Sequence, residues 1–146
     1  MSQAEKLLSV LDNLSWENFP IIADAVTKFD KDDIDDEMVR QASIFSYYQG
    51  MLAQAKQHLD KANLDLTTYT ASSRKEAKAC SSIKLTAKDL DDAVESSENF
   101  KTLSKQAIDA QFKYTLLKGL VSALDHKKDM LVQLSSNRRS ESNLYR

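Results

Sequence analysis

The side chains best suited to chemistry in this chain are cations. Arg74, Lys75 and Lys78 follow closely after Tyr69, and Lys84 and Lys88 continue the series. Lysine and arginine grouped in this way neutralise phosphate oxygens, and a neighbouring aromatic ring offers a face on which a nucleic-acid base stacks. A second group comprises Lys127, Lys128, Arg138 and Arg139, with His126 beside it as part of the same basic surface. The first group also has a plainer account, because cations near a helix C-terminus are favoured by its dipole. Other reactive types are sparse. Cys80 is the one cysteine, so no internal disulfide is expected, and His58 and His126 stand too far apart in sequence to form a metal cluster. Asp32, Asp33, Asp35, Asp36 and Glu37 lack the central glycine and spaced terminal glutamate of a calcium loop, which leaves them as a charged turn leading into a helix. No nucleophile-base-acid set or dinucleotide fingerprint occurs. Neither an enzyme nor a cofactor is expected.

The elements that position these groups are helical. Phe45, Tyr48, Leu52, Ala55, Leu59, Ala62, Leu66 and Tyr69 step by alternate intervals of three and four, the seam of a long helix that buries one side. Tyr47 and Met51 widen it. A second seam runs through Phe100, Leu103, Ala107, Ala110, Tyr114, Leu117, Val121 and Leu124. The expected fold is all-α: an elongated helical hairpin of two long helices with short N-terminal and connecting helices, assembling into an oligomeric helical ring or bundle. The first long helix, over 36–79, would be on the order of 60 Å long and stable only with a partner. Its stretch Thr67–Ser73 is rich in hydroxyl and β-branched residues, where a kink or fraying is expected. Thr86 with Asp89 resembles an N-terminal cap for a connecting helix over 86–97. Ser96, Ser97 and Asn99 offer a break before the last helix, over 100–138.

In that last helix the apolar residues lie on several faces at once. Tyr114, Leu117, Val121, Leu124 and Leu131 are joined by Leu116, Leu120, Met130 and Leu134. One partner helix does not cover that circumference, so these residues are expected to hold a homo-oligomer. Residues 1–30 read as a short acidic helical appendage to a hairpin core of 31–146. Leu7, Leu8, Val10, Leu11 and Leu14 fit a small amphipathic helix there, and Ser15 is placed to cap the next one. Pro20 suits that helix's first turn, with Trp16 and Phe19 read as local core residues or, alternatively, as contacts for a partner.

Composition narrows the function classes. The chain has 146 residues with two glycines and one proline, too few for glycine-rich phosphate loops or a turn-rich β fold. Charged residues make up 29% and apolar ones 42%, the balance of a chain that folds. The net charge of −2 conceals a division, since residues 1–38 hold ten acids against three bases and the remainder is net positive. The acidic segment is either a solvated surface or a contact for a basic partner, while the later bases are available to a polyanion. No apolar run reaches membrane-spanning length and no leader opens the sequence, so a cytoplasmic location is expected.

The stretch DIDDEMVRQASIFSYYQGMLAQAK, the polar SSRKEAK, the connection KLTAKDLDDAVESSENF and the final LLKGLVSALDHKKDMLVQLSSNRRSE together resemble the small UvsY-type recombination mediators of T4-like bacteriophages. The resemblance covers roughly residues 32–141. It implies a non-enzymatic factor, in the host cytoplasm if phage-encoded, that binds single-stranded DNA as a ring-like homo-oligomer. Such a factor helps displace the single-strand-binding protein and promotes loading of a RecA-like recombinase. The family's DNA-binding segment runs K-A-R-L-D ahead of aromatics. Lys61-Ala62-Asn63-Leu64-Asp65 with Tyr69 beyond matches it at Lys61, whereas Asn63 stands in place of the arginine, with Arg74 and Lys75 nearby to supply charge. The DNA-binding set expected is therefore Lys61, Tyr69, Arg74, Lys75, Lys78 and Lys84. The competing reading is a coiled-coil adaptor that binds only proteins.

Overall fold

A computed structural model describes residues 12–145. Leu7, Leu8, Val10 and Leu11 lie outside the described residues. All regular structure among the described residues is helical: α1 (Phe19–Thr27), a 3-10 turn (Lys31–Asp33), α2 (Ile34–Cys80), α3 (Ala87–Glu95) and α4 (Glu98–Leu144). No described helix is long and apolar enough to cross a membrane. Contacts group the chain into two units, one drawn from the described part of Met1–Gln54 with Thr115–Arg146 and the other from Ala55–Tyr114. The first part of α2 and the last part of α4 thus belong to the first unit, and their remaining parts to the second.

In the first unit, the entry to α1 is fixed by a reciprocal pair of hydrogen bonds. The Ser15 backbone N–H donates to Asn18 Oδ1 at 2.9 Å, and the Asn18 N–H donates to Ser15 Oγ at 3.4 Å. Pro20 sits in the first turn, where its missing N–H goes unneeded. Lys28 is extended and ends the helix. Asp30 then accepts the Asp32 N–H at 3.1 Å to open the 3-10 turn, and Asp35, Asp36 and Glu37 occupy the first turn of α2, favourable to its dipole.

The unit's core joins Leu14, Ile34 and Met51 to Leu117, Leu120, Val121, Leu124 and Leu131 of α4. Met51, Leu117, Leu124 and Leu131 are each no more than 1% exposed. Phe19 and Ala23 of α1 border a small groove with Leu116, Gly119, Leu120 and Ala123 of α4. A single chain therefore buries much of the α4 circumference that the sequence reading assigned to neighbouring subunits. The short helix read as an appendage belongs to the same unit as the start of α2 and the end of α4. Trp16, expected as core, is 65% exposed; the Ser15–Asn18 cap forms the turn in which it stands.

The second unit packs the later part of α2, α3 and the first part of α4. Ala55, Leu59, Leu90, Val94 and Ala107 are buried, and the remaining seam residues from Ala62 to Tyr69 and from Phe100 to Tyr114 are half-buried. α2 runs unbroken through Thr67–Ser73, contrary to the expected kink. Thr67 Oγ1 donates to the Asn63 carbonyl and Thr70 Oγ1 to the Leu66 carbonyl, both at 2.8 Å, so these hydroxyls bond within the helix rather than compete with it. Thr86 and Asp89 form a complete capping box at α3. Ser97 Oγ accepts the Phe100 N–H at 3.2 Å and donates to the Val94 carbonyl at 2.8 Å, making the break before α4.

Candidate nucleic-acid interface

In the second unit the last turns of α2 carry Arg74, Lys75 and Lys78. Spacings of three and four place Lys78 on the same side of the helix as both. Lys84 follows in the connection and Lys88 in the first turn of α3. Lys75, Lys78, Lys84 and Lys88 are exposed and make no ion pair among the described residues. The dipole account covers Lys78, in the last turn of α2, but not Lys88, which stands at a helix's positive end where a cation is disfavoured. Arg74 is different, because its guanidinium is held by the Asp91 carboxylate of α3. That ion pair links α2 to α3, and Lys84 and Lys88 lie on the chain between the two paired residues.

Tyr69 and Lys61 are not free members of this group. The Tyr69 hydroxyl lies 2.9 Å from Ser97 Oγ, and its ring is half-buried. Hydrogen bonding with Ser97, then with Ser73 and Asn99, lowers its pKa against the opposing effect of burial. The residue ties α2 to the junction of α3 and α4. Lys61 lies thirteen residues before Arg74, about 20 Å along the helix, and pairs with Asp65 at 3.3 Å. The six residues read as one set thus divide into an exposed cluster of Lys75, Lys78 and Lys84, a tethered Arg74, a structural Tyr69 and a remote Lys61.

The second basic group is not wholly at the surface, because Lys127 is buried. Lys127 is 3% exposed, its Nζ donating to Glu37 Oε2 at 2.8 Å and to the Val26 carbonyl at 2.9 Å, with the Phe29 ring centroid 5.7 Å away. Lys128 pairs with Asp125 at 2.7 Å and with Asp129 at 3.6 Å. The Lys128 ammonium keeps the Asp125 carboxyl below the usual carboxylate range. Arg138 donates to the Lys31 carbonyl at 3.2 Å.

The assembly residues also divide. Leu117, Leu120, Val121, Leu124 and Leu131 are buried by their own chain, Leu116 and Leu134 are half-buried, and Met130 is exposed. Tyr114 is half-buried, with Lys56 Nζ 6.0 Å from its ring centroid. No three metal-ligating side chains converge among the described residues. Comparison with family models, curated proteins and solved structures gives no match.

Two features escaped the sequence reading, and a third was legible in it. Asp91 pairs with Arg74 across seventeen positions, a separation at which helical periodicity carries no signal. Lys88 was visible as part of the basic series, and its unfavourable place relative to the α3 dipole follows from the Thr86 cap. Lys127 occupies the seam position three residues after Leu124 and four before Leu131, so its spacing announced burial although its charge did not.

Proposed function

We propose that this chain is a non-enzymatic recombination mediator that binds single-stranded DNA as a homo-oligomer and promotes loading of a RecA-like recombinase in place of single-strand-binding protein. The observation that carries the reading is the cluster of exposed, unpaired Lys75, Lys78, Lys84 and Lys88 at one end of the second unit. The resemblance to UvsY-type mediators supports it independently. Cations without carboxylate partners displace the counterions condensed on nucleic-acid phosphates with little competition from their own chain. Oligomerisation would repeat the cluster and convert weak contacts into avidity along one strand.

Binding of a labelled oligonucleotide over a salt series tests this directly. With four phosphate contacts per subunit, the logarithm of the affinity should fall against the logarithm of salt with a slope of roughly −3. Absence of binding at low salt would remove the reading.

A protein-only adaptor is the second reading, favoured by the carboxylate that already holds Arg74 and by the acidic start of α2. Replacing Lys75, Lys78, Lys84 and Lys88 together with alanine separates the two. A mediator loses DNA binding while keeping its fold and assembly, whereas an adaptor is unaffected.

A further inference from the structure

An apolar groove in the first unit includes Met130 and Leu134, two of the residues expected to hold the homo-oligomer, and takes no part in the proposed DNA contacts. It is about 610 Å³ in volume and runs between the segment after α1 and the side of α4. Phe29, Met130 and Leu134 supply its apolar surface, with Met130 56% exposed. Lys127 Nζ, itself held by Glu37, lies 5.7 Å from the Phe29 ring centroid. The ring therefore has an intramolecular contact of its own beside the groove.

The two charged residues that line the groove are both cations. Lys28 and Lys31 line it, are exposed and make no ion pair among the described residues. Arg138 bonds to the Lys31 carbonyl and adds a further cation alongside. The nearby Asp30, Asp32 and Asp33 do not line the groove, and Asp30 Oδ1 is engaged by the Asp32 N–H within the 3-10 turn. On α4, Met130, Leu134 and Asn137 are spaced by four and three, a one-sided wall for a helix laid beside it. Gln133 and Asn137 offer amides along the same wall.

We infer that this groove docks an acidic amphipathic helix of a partner protein, whose apolar side chains enter against Phe29, Met130 and Leu134 while its carboxylates meet Lys28 and Lys31. A nucleic-acid backbone would satisfy the lysines but leave the apolar surface uncovered. A neutral apolar helix would cover that surface but leave the cations unmatched. The inference is independent of DNA binding at the other unit.

The test uses the full chain and a fluorescently labelled synthetic peptide, helix-forming, with leucines at intervals of three and four and glutamates beside them. Saturable binding that weakens with salt is expected. Lys28→Glu with Lys31→Glu, and separately Met130→Asp, should each weaken it by about tenfold or more. Met130 and both lysines are exposed, and circular dichroism should show that each variant remains helical. The inference is overturned if the peptide does not bind, if a scrambled peptide of the same composition or a lysine-for-glutamate version binds equally, or if the variants bind unchanged. It is equally overturned if Met130→Asp abolishes self-association without affecting the peptide, or if these residues bind phosphatidylserine vesicles and not the peptide.

Discussion

Lys127 shows how far a single residue's role depends on its surroundings. By type it belongs with the surface cations, yet its ammonium is enclosed by Glu37, the Val26 carbonyl and the Phe29 ring. Removing Lys127 leaves the largely buried Glu37 with only Arg40, 3.8 Å away, so Lys127→Ala should lower unfolding free energy by about 3 kcal/mol, measured by urea denaturation. Replacing both charges, with Lys127→Met and Glu37→Leu, should recover most of that loss. Failure of the double variant to improve on the single one would show that the pair is irreplaceable in register. Tyr48 gives a pH prediction. Burial, with a smaller effect from Tyr47, raises its pKa above the ordinary 10.0. The folded state then holds this proton after the unfolded chain has lost it, so the contribution is full below pH 10.0 and is lost as pH rises through the folded value. Tyr48→Phe should flatten that alkaline decline in urea titrations, and an unchanged pH profile would assign the decline elsewhere.

At the scale of elements, α2 and α4 persist because local disadvantages are absorbed by bonding and packing. The hydroxyls of Thr67 and Thr70 bond back along α2, and half-buried Leu66 and Tyr69 keep that stretch packed. Gly119 is an uncompensated weakness in α4, since a Cβ there would meet nothing within 4 Å. Gly119→Ala should therefore stabilise the protein by about 1 kcal/mol, visible as a higher thermal midpoint. Loss of stability would mean that the adjoining groove closes in solution. The contact between α2 and α3 bears on the proposed DNA binding. Asp91 competes with phosphate for Arg74, and Asp91→Asn should strengthen binding of single-stranded DNA severalfold at low salt. Weaker binding, with the helices intact, would mean that the ion pair's work is to hold α3 in place.

At the scale of the whole molecule, self-association is the property on which the proposed mediator depends. Light scattering of dilute solutions should give a mass above that of one chain, and a monomer would remove the avidity argument. The sequence by itself determined the helical class and the inward seams, because every seam residue from Phe45 to Tyr69 and from Phe100 to Leu124 is buried or half-buried. Apolar spacing is a local code, as is the Thr86–Asp89 cap, and both are legible without knowing what lies opposite. The extent of the exposed basic cluster was only partly legible. Lys75, Lys78 and Lys84 could be picked out by proximity, but Arg74's partner and Tyr69's hydrogen bond to Ser97 arise between elements. Burial of Leu117, Leu120, Val121, Leu124 and Leu131 within one chain, with α1 alongside α4, was likewise decided by tertiary structure. Helical periodicity states which residues must be covered, while the identity of the cover depends on chain packing across many residues. The same reason makes Lys127 a core residue: its position in the seam was written locally, but the carboxylate, carbonyl and ring that permit its burial come from distant parts of the chain.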